Sequence, residues 1–141
     1  METLYTAIVT TIGGRAGHTI SSDGVIDYDL SLPKNLGGIE KPGTTNPEQL
    51  FAAGYSACFG SAIDLIAKKK HITLKEIDVT AEVSLNNSES GFGLAVHLKV
   101  YLPGISHAEA EQIVNDAHQV CPYSKATRGN IEVKLSVLDT K

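Results

Sequence analysis

The sequence predicts an α+β fold with antiparallel sheets, the order βββ-α-ββ-α-β and a buried central helix. Three observations predict it. Residues 76–85 and 92–102 alternate apolar and polar side chains with the two-residue period of half-buried strands. Residues 45–66 and 106–121 open with helix-capping chemistry and continue with apolar residues. The strands arrive in blocks separated by these helices, which argues for antiparallel sheet with the helices on one face.

Residues 3–12 alternate and are rich in Thr, Ile and Val, so they read as the first strand. Gly13-Gly14 turns the chain. Residues 15–20 and 25–30 are the second and third strands, separated by the turn Ser22-Asp23-Gly24. Residues 31–45 hold Pro33, Gly37, Gly38, Pro42 and Gly43 and form a long loop, of a length that is usually functional or mobile. The central helix follows. Asn46 caps it, Pro47 suits its first position, and Gln49 stands where a capping box needs it. From Leu50 to Ile66 only Ser56, Ser61 and Asp64 interrupt an apolar or small surface, the signature of a buried helix. Lys68, Lys69 and Lys70 then suit its C-terminal dipole.

Ile77, Val79, Ala81, Val83 and Leu85 line one face of the next strand. Asn86 to Gly91 turns the chain, and Phe92, Leu94, Val96, Leu98, Val100 and Leu102 line its partner. Ser106 and Glu109 form a second capping box. Ala110, Ile113, Val114, Ala117 and Cys121 fall at helical spacing, and Pro122 ends that helix. Residues 131–138 alternate as a last strand.

At 141 residues the chain predicts a single domain, 1–141, with room for a real core. A net charge of -4 gives no support for a nucleic-acid or anionic-membrane partner. The start, Met-Glu-Thr-Leu-Tyr, lacks the pattern of a secretory signal, and the apolar run 50–66 is too short and carries Asp64, so no membrane span is expected. Two cysteines do not make a disulfide scaffold. A cytoplasmic protein with reduced thiols is the expectation.

Cys58 and Cys121 lie 63 residues apart, each on the buried row of a helix. That spacing excludes a CxxC motif and a zinc knuckle. Two readings stay open on periodicity alone: two inert core thiols, or a fold built around a reactive sulfur. His118 and Cys121 at i, i+3 are too little for a metal site, and His18, His71, His97 and His107 show no metal spacing.

Four segments carry a resemblance. They are Gly13-Gly14-Arg15, Ser21-Ser22-Asp23-Gly24, the run from Thr45 to Phe59, and the run from Val120 through Cys121-Pro122-Tyr123-Ser124 to Thr127-Arg128-Gly129-Asn130. Together they closely resemble the organic hydroperoxide resistance proteins of the OsmC-like superfamily, along the whole length. The resemblance implies an OsmC-like fold, an intertwined homodimer, and a thiol peroxidase without cofactor or metal. Cys58 matches the peroxidatic position and Cys121 the resolving one, with Arg15 and Glu48 beside the reactive sulfur. It further implies organic hydroperoxides as substrate, an intramolecular disulfide, and reduction by a dithiol such as a lipoyl group on a protein.

Physical chemistry agrees with these roles. A thiol in an apolar helix has a raised pKa and needs a cation to become a thiolate. Arg15 is always charged and its planar fork can bond a sulfur and a peroxide oxygen together, while Glu48 supplies a counter-charge. Helix geometry adds a constraint. Ten residues place Glu48 and Cys58 ~15 Å apart on one straight helix. Either Arg15 spans part of that gap, the helix breaks near Gly54, or the pair comes from a second chain. The small residues Ala53, Ala57, Gly60 and Ser61 permit close helix approach, so the expectation is a homodimer with Arg15 and Glu48 acting in trans.

Phe51, Phe59, Leu36 and Ile39 are candidates for an apolar substrate entrance, and Tyr123 for a place in the polar network. The contrasting function is a non-enzymic OsmC-like module that binds an apolar ligand or senses redox state. A general disulfide oxidoreductase is disfavoured by the absence of CxxC.

Overall fold

A computed structural model describes residues 1–141. The chain divides into two compact units, Met1–Leu50 and Phe51–Lys141.

The first unit is a meander. Strands β1 (Val9–Ile12), β2 (His18–Ser21) and β3 (Asp27–Asp29) pair antiparallel in that order. The predicted first strand, 3–12, shrinks to its last four residues. The predicted second strand gives up its start to a single 3-10 turn, Gly14–Ala16. Glycine makes that turn possible. Gly13 and Gly14 take left-handed φ values of 89° and 58°, and a Cβ on Gly17 would stand 1.7 Å from the Ile12 carbonyl oxygen. Thr11 and Thr19, directly opposite across β1 and β2, bond through their hydroxyls at 2.8 Å. Apolar residues of the first unit are bare: Leu4, Tyr5 and Ile8 ahead of β1, and Ile12 and Tyr28 within the strands, are all exposed.

The second unit holds the core. Helix α1 (Pro47–Lys69) starts at the end of the first unit and continues through the second without a break at Gly54. Asn46 caps it by accepting from the Gln49 backbone N–H at 2.9 Å. Gln49 does not close the box; its carboxamide accepts from the Thr45 hydroxyl instead. Strands β4 (Asp78–Ser88) and β5 (Gly91–Tyr101) form a long antiparallel hairpin. Its turn is tighter than the predicted 86–91, because Asn86, Asn87 and Ser88 stay paired to Gly93, Phe92 and Gly91. Phe92 therefore sits at the hairpin tip, exposed rather than in the core.

Helix α2 (His107–Val120) begins with the predicted capping box at Ser106 and Glu109. A short helix absent from the sequence expectation, α3 (Pro122–Thr127), starts immediately after Cys121. Proline before it ends one helix and opens the next, since it suits a first helical position. Strand β6 (Glu132–Leu138) joins β5 in parallel, a correction to the all-antiparallel expectation. The helical crossover returns the chain to the end of the sheet where β5 began, so the new strand runs the same way.

The core packs Tyr55, Phe59, Ile63 and Ile66 of α1 against Val96, Leu98 and Val100 of β5 and Ile113, Val114 and Ala117 of α2. The buried-helix expectation holds for one face only. α1 is long and apolar enough to cross a membrane by length and composition, yet only 33% of its most apolar window is buried within the chain. Its open face carries Ala53, Ala57 and Ser61.

Candidate functional site

The first unit builds a charged pair. The glycine-rich turn aims Arg15 at the first turn of α1, where Glu48 follows the N-terminal proline. The guanidinium grips the carboxylate in a bidentate fork, Nη1 to Oε1 at 2.8 Å and Nη2 to Oε2 at 2.9 Å. The Glu48 side chain is only 16% exposed, so this pairing replaces most of its water. The Arg15 hydrogen bonds hold the Glu48 carboxyl below its ordinary range against the opposing effect of burial, and the same bonds push Arg15 up.

The second unit builds a sulfur pair. Cys58 is half-buried midway along α1, and Cys121 is fully buried at the junction of α2 and α3. Both are free thiols. The Cys121 thiol donates to Cys58 Sγ at a sulfur–sulfur distance of 3.6 Å. Burial pushes the Cys58 thiol up, and the backbone N–H of Tyr123 opposes it. Within this unit the balance favours the neutral thiol.

Side chains missed in the sequence form a polar cluster on the cysteine-bearing helices and α3. Tyr55 Oη lies 2.9 Å from Ser124 Oγ and 3.0 Å from Thr127 Oγ1, all buried. His118 Nδ1 reaches Ser124 Oγ at 2.8 Å, and Arg128 donates to the His118 carbonyl at 2.7 Å. One signal was available. Tyr55 precedes Cys58 by three residues and Ser124 follows Cys121 by three, so each shares a helical face with its cysteine.

Beside them lies an apolar cavity of 460 Å³, lined among others by Phe51, Leu94, Tyr123 and Ile131. Of the expected entrance residues Phe51 lines it, and so does Tyr123, a candidate for the polar network, with the two rings edge-on at 6.2 Å. The Tyr123 ring passes so close to α1 that a Cβ on Gly54 would stand 2.6 Å from its hydroxyl. Phe59 does not line this cavity. It is fully buried in the core against Tyr55, which corrects its expected place at an entrance. Leu36 and Ile39 lie on the 31–45 loop, both exposed. Tyr123 touches the Cys58 sulfur through its backbone, and its ring packs against Phe51 and Tyr55.

A three-stranded meander in one unit, and in the other a helix-covered sheet with two facing thiols on its helices, make this an α+β protein. The sequence profile described as OsmC-like protein matches residues 40–136. The chain belongs to the OsmC-like family. An organic hydroperoxide resistance protein of Xanthomonas axonopodis pv. citri is 47% identical over 137 residues, covering 96% of each chain. The organic hydroperoxide resistance protein OhrB of Bacillus subtilis is 49% identical over 138 residues, covering 95% of this chain and 98% of that one. The crystal structure of an organic hydroperoxide resistance protein from Elizabethkingia anophelis superposes with a TM-score of 0.92 at 51% identity, covering 99% of this chain and 100% of that one.

Proposed function

We propose that the chain is a cytoplasmic, cysteine-based peroxidase that reduces organic hydroperoxides to alcohols and protects against oxidative stress. The observation that carries this reading is the 3.6 Å approach of Cys121 Sγ to Cys58 Sγ between two free thiols. The names of its relatives support the substrate class.

The Cys58 thiolate attacks a peroxide oxygen, the O–O bond breaks, and the alcohol leaves. Cys58 is then a sulfenic acid. Cys121 attacks its sulfur, water leaves, and a Cys58–Cys121 disulfide results. A dithiol, by family resemblance a lipoyl group on a protein, returns both thiols by exchange. No metal or other cofactor takes part in this scheme.

Cys58 needs a cation, because burial favours the neutral thiol. We assign that cation to Arg15, held in register by Glu48 and supplied by the second subunit of a homodimer. Helix α1 runs unbroken through Gly54, which supports the second chain as the source of the pair. Two bare surfaces support the dimer: the apolar side chains of the meander, and the small-residue face of α1. Grouped exposed apolar side chains of this kind mark an interaction surface. The apolar cavity with Phe51 and Tyr123 suits an alkyl group better than hydrogen peroxide.

The test is stopped-flow thiol loss with cumene hydroperoxide, with products identified by mass spectrometry. The expected result is one intramolecular disulfide per chain, formed far faster than free cysteine reacts. Cys58→Ser abolishes turnover, and Cys121→Ser allows a single oxidation of Cys58. Reaction no faster than free cysteine would leave the non-enzymic binding module as the reading.

A further inference from the structure

The buried hydroxyls beside Cys121 permit a proton count. Four hydrogen bonds join His118 Nδ1 to Ser124 Oγ, Ser124 Oγ to Tyr55 Oη, Tyr55 Oη to Thr127 Oγ1, and Thr127 Oγ1 to the Ser124 carbonyl. The carbonyl can only accept. The three hydroxyls bring one proton each. The fourth proton must come from His118, as an Nδ1–H. Every link then has one direction: His118 donates to Ser124, Ser124 to Tyr55, Tyr55 to Thr127, and Thr127 to the carbonyl. The other ring tautomer would leave one link without a proton in a site where Tyr55 and Ser124 are fully buried. No buried side-chain polar atom in the chain lacks a partner. Burial and the charge of Arg128 push His118 down, which favours the neutral ring with a single proton, in keeping with this count.

The chain of hydroxyls ties two particular turns together. Tyr55 belongs to the α1 turn before Cys58, and Ser124 and Thr127 belong to α3, which starts at Cys121. Pro122 and Tyr123, whose backbone N–H reaches the Cys58 sulfur, lie between them. We propose that this directed chain is a positioning device for the resolving step: it clamps α3 onto α1 and so holds Cys121 in line with the Cys58 sulfur. The inference rests on the proposed peroxidase reading. In the step it serves, the Cys121 sulfur bonds to the Cys58 sulfur and the S–O bond of the sulfenic acid breaks. The hydroxyl leaves as water with the thiol proton, Cys121 is oxidised, and Cys58 returns from the sulfenic to the disulfide level. The sulfurs must close from 3.6 Å to bonding distance, about 2 Å, so a loosened α3 costs effective concentration directly.

Full-length wild type, Tyr55→Phe and Ser124→Ala are equilibrated with mixtures of reduced and oxidised glutathione, and the Cys58–Cys121 disulfide is quantified by thiol trapping and mass spectrometry. Both variants are expected to lower the disulfide-forming equilibrium constant by ~10-fold or more. Ring nitrogen-15 shifts of wild-type His118 at pH 7 are expected to report the Nδ1–H tautomer. An Nε2–H ring overturns the inference, and so does an unchanged glutathione equilibrium in the variants. Ser124→Ala removes a single atom and decides the matter if Tyr55→Phe does not fold, and the tautomer in wild type needs no variant. A wild-type disulfide that forms with glutathione but never with cumene hydroperoxide overturns the peroxidase reading and leaves the clamp standing. A wild type that forms no disulfide with either overturns both.

Discussion

Arg15 and Glu48, 33 residues apart, meet through two parallel hydrogen bonds of 2.8 and 2.9 Å, one from each terminal nitrogen of the guanidinium. The fork uses both carboxylate oxygens and leaves the guanidinium plane fixed. A fixed plane can present its remaining N–H groups to a sulfur and a peroxide oxygen, whereas a lone ammonium cannot.

Arg15→Lys is therefore not a conservative change here. It keeps the charge and loses the fork. The reaction of Cys58 with cumene hydroperoxide is expected to slow by about 10²-fold, the scale of losing one preorganised donor at a reacting centre. Glu48→Gln removes the counter-charge and is expected to slow the same step. Stopped-flow rates near those of wild type in Arg15→Lys would remove Arg15 from the chemistry.

The trans assignment has a complementation signature. Homodimers of Arg15→Ala and of Cys58→Ser are each expected to be inactive. Mixed dimers bring the intact Arg15 of one chain to the intact Cys58 of the other. Unfolding and refolding the two variants together is expected to restore up to one working site per mixed dimer. No recovered peroxidase activity, with mixed dimers shown by native mass spectrometry, would place Arg15 and Cys58 of the same chain together.

The acid dependence follows from depressed and raised groups. Glu48 is depressed by Arg15, so its contribution to stability is complete above the ordinary carboxylate pKa and is lost as pH falls through the folded value. His118 is also depressed. The unfolded chain takes up that proton first, so stability declines as pH falls below the ordinary histidine value of 6.5. His18 and His107 are raised, by Asp29 and Asp139 foremost, and their contributions run the other way, present in acid and lost as pH rises. An NMR titration is expected to show His118 below 6.5 and the other two above it. His118 titrating above His18 would contradict its buried setting.

Phe51 and Phe59 separate a cavity wall from a core. Phe59→Ala empties a fully buried site and is expected to cost about 3–5 kcal/mol in denaturant unfolding. Phe51→Ala opens the apolar cavity and is expected to raise KM for cumene hydroperoxide more than it lowers stability. An unchanged KM would detach the cavity from the substrate.

Gly17→Ala tests the turn that carries Arg15. A Cβ there meets the Ile12 carbonyl oxygen at 1.7 Å, a contact that only backbone movement relieves. The substitution is expected to lower Tm and to weaken the Arg15–Glu48 pair. Crystallography of the variant reads the pair directly, and an unmoved Arg15 would show that the turn has slack.

Local chemistry made most elements legible. Asn46 and Ser106 announced their helices because a cap acts over three residues, and residues 76–85 announced a strand because burial alternates along it. Helix α3 escaped because Cys121-Pro122 reads as a stop, while proline serves equally as a start. The parallel pairing of β6 escaped because alternation shows which side chains face inward and says nothing of direction. Phe59 looked like a cavity residue because an aromatic in an apolar helix reads the same in a core or at an entrance.

The amino-acid order by itself determined most element types, the caps and the two cysteine-bearing helices, and residue-level resemblance singled out Cys58, Cys121, Arg15 and Glu48 as the candidates. Those rest on interactions a few residues long or on motifs readable in place. Only the tertiary structure decided that Cys121 stands 3.6 Å from Cys58, that Arg15 grips Glu48 with both terminal nitrogens, and that Tyr55 and Ser124 share a hydrogen bond between the two cysteine-bearing turns. Each of these joins residues 33 to 69 positions apart, and such distances are set by how whole elements pack.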